Sequence, residues 1–312
     1  MEPFKRVLVP LDGSRLAEAV LPVAFAIAAR CGATVTLLHV LEHNAPETVH
    51  GQQHLGNNEE ASAYLHELAE RHHVGDVTTE LHVHENPEHD VARSVAAHAA
   101  ELAVDLIALA THGSGGLRGF LFGSIAQQTL RHTTIPVLLV RPEVGNGKRV
   151  NYRKILVPLD STSQAQVALP VAVMLATVGS AALHLIRVVP TVGTIPGTSG
   201  TAATFSPSAA AALLDIEGQE AGSDLSDLRA KLPASLAVTL EIRRGEIVDE
   251  LLLAVERADA DLVVMSTHGR SGVEGLWTGS VAAKLIGRLT RPVILVPIPR
   301  ERDNNPASGS PA

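Results

Sequence analysis

At 312 residues, 46% hydrophobic and 19% charged, the chain is long enough for two domains that each bury a core, and too apolar for extensive disorder. A formal net charge of −8 excludes a general nucleic-acid binder, which needs a basic face to displace counterions. No apolar run approaches the roughly eighteen residues of a membrane span, and the start MEPFKRVLVPLDGS enters a strand pattern without a signal-peptide core. With one cysteine, Cys31, no internal disulfide forms, so a reducing cytoplasm is the expected location.

Aromatics make up only 3% of the chain, so Ala, Val, Leu and Ile must build the core, as in parallel sheets covered by helices. In chain order, strands are expected at 6–11, 34–40, 77–84, 106–110 and 137–140. Helices are expected between them near 16–29, 59–72, 91–102 and 124–131. The pattern then repeats. Val7-Leu8-Val9-Pro10-Leu11-Asp12 recurs as Ile155-Leu156-Val157-Pro158-Leu159-Asp160, and Leu21-Pro22-Val23-Ala24 as Leu169-Pro170-Val171-Ala172. Thr111-His112-Gly113 recurs as Thr267-His268-Gly269, Gly123-Ser124 as Gly279-Ser280, and Pro136-Val137 as Pro292-Val293. The offset grows from 148 (Val7 to Ile155) to 156 (Thr111 to Thr267), which places an insertion in the second copy, expected in the loop-like stretch 190–207. Residues 1–142 and 151–299 therefore read as two tandem α/β domains. Residues 143–150 form a polar linker and 300–312 a disordered tail.

Alternating strands and helices of these lengths predict a parallel sheet with right-handed crossovers in each lobe. Ligands of such sheets bind beyond the carboxyl ends of the strands, where the strand order reverses. In lobe one the strand ending at Ala110 runs into Thr111-His112-Gly113, then a glycine-rich loop to Gly123-Ser124 and a helix. In lobe two the strand ending at Ser266 runs through Gly269 to Gly279-Ser280. Glycines let a backbone approach phosphate closely, and unpaired amides at a helix start favour an anion. A tight turn with serine N-caps would use the same residues, but retention of both elements in two copies favours binding. The chain lacks G-x-x-x-x-G-K-[ST], so it is not a P-loop NTPase. Its glycines are wrongly spaced and placed for a dinucleotide fingerprint.

These residues resemble the universal stress protein family: a first strand ending in Val-Pro-Leu-Asp, a Thr-His-Gly turn after strand four, and Gly, nine residues, then Gly-Ser. The resemblance covers both lobes. It implies two doubly wound, five-stranded parallel sheets of order 3-2-1-4-5, like the adenine nucleotide alpha hydrolases. It also implies an ATP or related adenine-nucleotide site between strands one and four of each lobe, with Mg²⁺ or Mn²⁺ on the phosphates. Gly113, Gly123 and Ser124 match the family's phosphate motif in lobe one, as do Gly269, Gly279 and Ser280 in lobe two. Ala110 and Ser266 replace its first glycine. Asp12 and Asp160 would lie beside the adenosine, with Val40 and Val188 near the base. Pro10 and Pro158 at strand ends, and Ile125 and Val281 at helix starts, complete the candidate set. Family members dimerise through their last strands, so the lobes are expected to form an intramolecular pseudo-dimer, with a homodimer as a further option.

No nucleophile elbow or general base stands out, so a regulatory stress-response role is expected, with a protein partner and at most slow ATP turnover. The alternative is a nucleotide-independent interaction protein. An enzyme of the wider hydrolase-like group would carry an S-G-G-x-D-S loop after strand one, where this chain has Asp12-Gly13-Ser14. Of fifteen histidines, thirteen lie in lobe one. His43, His50 and His54 fall after strand two, and His82 and His84 share a face of strand three. Without a recognisable ligand spacing they read as scattered surface residues rather than a metal site, and Cys31 as a partly buried structural thiol.

Overall fold

The computed structural model describes residues 1–43, 48–111, 124–142, 152–162, 165–194, 207–267 and 280–298, with backbone alone at Gln53, Ser124, Pro207 and Ser280. Lobe one comprises β1 (Arg6–Pro10), α1 (Arg15–Glu18), α2 (Leu21–Cys31), β2 (Thr34–Glu42) and a small hairpin of β3 (Thr48–Val49) and β4 (Gln52–Gln53). It continues with α3 (Asn58–Arg71), β5 (Thr79–Glu88), α4 (Val91–Glu101), β6 (Leu106–Ala110), α5 (Ser124–His132) and β7 (Val137–Val140). Lobe two repeats the plan with β8 (Lys154–Pro158), a 3₁₀ turn (Ala165–Ala168), α6 (Leu169–Gly179), β9 (Ala182–Val189) and α7 (Pro207–Lys231). β10 (Val238–Arg244), α8 (Ile247–Ala258), β11 (Leu262–Ser266), α9 (Ser280–Arg288) and β12 (Val293–Val296) follow.

Within each lobe the strands lie in the expected order, β5-β2-β1-β6-β7 and β10-β9-β8-β11-β12, and every pair inside a lobe is parallel. The two sheets do not end separately. β7 pairs antiparallel with β12, Leu138 opposite Ile294, and the result is one ten-stranded sheet. Antiparallel pairing of equivalent strands is the signature of a local two-fold, and it buries the hydrogen-bonding edges that two separate lobes would expose. Two apolar layers cover the sheet faces. Each contains residues of both lobes, Val9 and Leu138 with Val157 and Ile294 on one face, Leu8 and Leu139 with Leu156 and Leu295 on the other. A third contact ties the lobes, where Arg30 donates to the Tyr152 carbonyl at 2.8 Å and lies over the Tyr152 ring.

Three elements differ from the sequence expectation. The first helix, expected as one unit over 16–29, breaks after α1, because Pro22 in the first turn of α2 lacks an N–H and would clash with the Glu18 carbonyl in a continuous helix. Lobe two breaks at the same place before Pro170. β5 runs to Glu88 rather than ending at His84, since β2 itself continues to Glu42 and pairs with Glu88 beyond an irregularity in register. Residues 195–206 of the expected insertion loop lie outside the described residues, while α7, with 25 residues against 14 in α3, carries the extra length. The linker 143–150 and tail 300–312 also lie outside them. Among the described residues no helix is long and apolar enough to cross a membrane.

The repeat allows an internal comparison at the ends of α2 and α6. α2 terminates on Gly32 in the left-handed region (φ 67°), and α6 terminates identically on Ser180 (φ 51°). A side chain there crowds its own backbone, whereas glycine does not. Ser180→Gly is therefore expected to raise stability by about 0.5–1 kcal/mol. A urea midpoint that fails to rise would refute this reading of the turn.

Candidate functional site

The strand order reverses between β1 and β6 in lobe one and between β8 and β11 in lobe two, so a crevice opens at the carboxyl ends of those pairs. Leu8 pairs with Ile107 and Leu156 with Val263. The same registers, carried forward, set Leu11 beside Ala110 and Leu159 beside Ser266. Asp12 and Asp160 thus stand one residue beyond the small side chains of Ala110 and Ser266. In both lobes the strand-end backbone is fixed alike. Leu11 N–H donates to Leu38 O and Leu159 N–H to Ile186 O, each at 2.8 Å, while Thr111 N–H donates to Val140 O and Thr267 N–H to Val296 O.

The Asp turns are built locally. Asp12 Oδ1 accepts from Ser14 N–H at 2.9 Å, Gly13 takes φ 86°, and Ser14 caps α1 by accepting from Ala17 N–H at 3.1 Å. In lobe two Asp160 Oδ1 accepts from both the N–H and hydroxyl of Thr162, which in turn accepts from Ala165 N–H at 3.2 Å. Ser14 and Thr162 thus take the capping role, and each Asp is held at the mouth of the crevice by a single turn. Val40 is buried at the end of β2 and Val188 half-buried at the end of β9, one strand over from the Asp. Pro10 and Pro158 end their strands half-buried. α5 and α9 begin at Ser124 and Ser280, followed by half-buried Ile125 and Val281. Gly113, Gly123, Gly269 and Gly279 lie outside the described residues, as do His112 and His268.

Sequence reasoning overlooked the residue beneath each Asp. His39 on β2 is buried and its Nδ1–H donates to Leu11 O at 2.7 Å; burial lowers its proton affinity, so the ring is held neutral. Its Nε2 has no hydrogen-bond partner among the described residues. Lobe two puts Arg187 at the equivalent register position, also buried and paired with Asp224 of α7 at 2.6 Å. The signal was a large polar residue directly after the central apolar run of each strand, Leu37-Leu38 before His39 and Leu185-Ile186 before Arg187. Lobe one also carries the β3–β4 hairpin, turned by His50 and Gly51, both at positive φ. It leans on the Asp12 turn. Gln52 accepts from Arg15 N–H at 2.6 Å, and Leu55 sits 3.0 Å from where a Cβ on Gly13 would lie.

The model of the universal stress protein family matches the chain twice, over residues 3–141 and 151–297. The chain belongs to the universal stress protein family. Curated relatives match about half of the chain. A universal stress protein of Methanocaldococcus jannaschii is 29% identical over 158 residues, 51% of this chain and 89% of that protein. A putative universal stress protein of Staphylococcus haemolyticus is 30% identical over 149 residues, 46% of this chain and 88% of its own. The tandem arrangement as a whole resembles the crystal structure of a universal stress protein from Archaeoglobus fulgidus, with a TM-score of 0.64 at 17% identity, covering 94% of this chain and 96% of that one. A putative universal stress protein of Pseudomonas aeruginosa gives a TM-score of 0.63 at 17% identity, covering 95% and 94%. At those identities the likeness is one of fold.

Two further expectations for this universal stress protein meet their structural context. Cys31 is half-buried at the end of α2, and burial pushes its thiol pKa up, which disfavours the reactive thiolate. The lobe-one histidines, by contrast, are not scattered. His43 lies against His89, His39 faces His54, and His98 of α4 packs on both His82 and His84.

Proposed function

We propose that each lobe binds an adenine nucleotide, ATP with Mg²⁺ or Mn²⁺ on its phosphates, in the crevice at the strand-order reversal, and that the protein acts by binding rather than turnover. The observation that carries the reading is the duplicated Asp turn, Asp12 one residue beyond Ala110 and Asp160 one residue beyond Ser266, with each small-residue strand end leading in sequence to a glycine-rich loop and a helix start. Asp offers the acceptors a ribose hydroxyl needs, and Val40 or Val188 an apolar wall for a base. Oxygen-rich phosphates suit Mg²⁺, which keeps most of its water and needs few protein ligands, and no protein carboxylate is an evident ligand for it in the sequence. The bound metal would neutralise phosphate charge. The same proposal includes a regulatory role in the cytoplasm, read out by a protein partner, since no general base for turnover stands out in the sequence.

The test is mass analysis of nucleotide released on denaturing the purified protein. Wild type is expected to release up to two adenine nucleotides per chain. Gly113→Ala with Gly123→Ala, or Asp12→Ala, should empty lobe one; Gly269→Ala with Gly279→Ala, or Asp160→Ala, should empty lobe two. Unchanged content in every variant would reject the site. If wild type neither carries nor takes up ATP, the nucleotide-independent interaction protein becomes the better account.

A further inference from the structure

Three imidazoles gather on the β5–α4 side of lobe one, two strands out from β1, with His84 in register with Val40 of β2. His82 and His84 are two residues apart on β5, an edge strand, and so share a face; His98 reaches that face from α4. His98 Nε2 lies 3.0 Å from His84 Nδ1. The His98 ring centroid is 4.7 Å from that of His82 and 4.9 Å from that of His84. The outer nitrogens of the close pair face carboxylates. His84 Nε2 is 3.2 Å from Glu88 Oε1, and His98 Nδ1 is 3.7 Å from Glu101 Oε2.

We propose that His82, His84 and His98 form a binding site for one divalent late transition-metal ion, of which Zn²⁺ is the probe, with Glu88 and Glu101 orienting the rings. With metal–nitrogen bonds of about 2.0–2.1 Å, two ligands at neighbouring corners of the coordination shell sit about 3.0–3.4 Å apart. The inner nitrogens of His84 and His98 already have that separation. The outer nitrogens supply the second requirement. A metal-bound histidine donates its remaining N–H to a carboxylate, which fixes the ring and raises its basicity. Glu88 stands in that relation to His84, and Glu101, at longer range, to His98.

Without metal, the inner nitrogens share one N–H···N hydrogen bond. On binding, the His98 proton moves to its outer nitrogen facing Glu101, and both inner lone pairs become ligands. Among the described residues no three ligating side chains already converge on one point. His82 completes the set by side-chain rotation, since its ring already contacts His98. Imidazole donors suit Zn²⁺, Cu²⁺ and Ni²⁺ rather than Mg²⁺. The site is therefore chemically distinct from any metal carried on nucleotide phosphates.

The experiment is zinc titration calorimetry on the full-length untagged chain, freed of nucleotide and metal by dialysis against a chelator and then buffer, with metal analysis of the recovered protein. One Zn²⁺ per chain at micromolar affinity is expected. His84→Ala and His98→Ala should each weaken it at least tenfold, Glu88→Gln about tenfold to a hundredfold, and His43→Ala not at all; Mg²⁺ should not compete. Circular dichroism checks folding, and His98→Gln, which keeps a polar side chain of similar size, decides the matter if the alanine variant unfolds. Wild type that takes up no zinc, or a His84→Ala/His98→Gln variant that binds it as wild type does, overturns the proposal. Neither result bears on nucleotide content, so the two sites are tested separately.

Discussion

Leu138→Ala is expected to lower the stability of the entire chain by about 2–5 kcal/mol and to loosen both lobes together. Leu138 is fully buried on β7, the strand that closes lobe one, with Ala108 beside it on β6 and Ile294 opposite on β12. Removing its isobutyl group leaves a cavity that neither rigid strand can close. Leu138, Ile294, Val9 and Val157 belong to one apolar layer, so the cavity opens in a core that the two lobes share. A protein of two independent lobes would confine the damage to lobe one. Hydrogen exchange across a urea series is the measurement. Protection of β8 and β11 should fall along with that of β1 and β6, in one transition. Ile294→Ala should behave alike, and the double variant should depart from additivity by about 0.5–3 kcal/mol, because both truncations open the same space. Protection of lobe two that is indifferent to Leu138→Ala would show that the continuous sheet does not couple the lobes.

The sequence carried most of this architecture because the fold rests on local, repeated signals. Val7–Val9 and Leu106–Leu109 are apolar runs of the length a doubly covered parallel strand needs, and the duplication showed each run twice. The pairing of Val137–Val140 with Val293–Val296 came instead from the family resemblance, which implies pairing through last strands; both runs are apolar enough to meet at such an edge. What stayed hidden depends on tertiary placement. β5 continues through Asn86-Pro87, which is turn chemistry locally. It survives because β5 is an edge strand, where a missing N–H can face away from the ladder. His98 is fourteen residues from His84, and nothing in their spacing announces contact; only the packing of α4 against the sheet brings them together. At the crevice, the Asp turns were readable from Asp12-Gly13-Ser14 and Asp160-Ser161-Thr162. The His39 and Arg187 positions beneath them were not, since strand periodicity says which face a residue occupies but not what it meets there.

A stabilising device at the opposite end of each lobe was equally silent in the sequence, and it carries the second large expectation. Asp105 Oδ2 accepts from Lys5 N–H at 2.6 Å and Arg6 N–H at 3.0 Å, while its own N–H donates to Arg6 O. Asp261 does the same with Arg153 and Lys154, at 2.8 and 3.0 Å. Each carboxylate joins the starts of the two strands whose far ends form the crevice, so it sets their register. Asp105→Ala removes two charge-assisted hydrogen bonds to one carboxylate oxygen and strands two backbone donors, and a loss of about 2–3 kcal/mol is expected, with the same for Asp261→Ala. Asp105→Asn keeps an acceptor without the charge and should lose about half as much. A guanidinium midpoint series on the three variants reads the ordering directly, and an asparagine variant as stable as wild type would mean that charge contributes nothing. Because β1 and β6 are shared by clamp and crevice, the alanine variants should also hold nucleotide less tightly while keeping every residue of the proposed site. That separates positioning from contact: Asp12→Ala should empty the pocket at a smaller stability cost, that of the Asp12–Ser14 turn, whereas Asp105→Ala should weaken it only as far as it frees one strand to slide against the other.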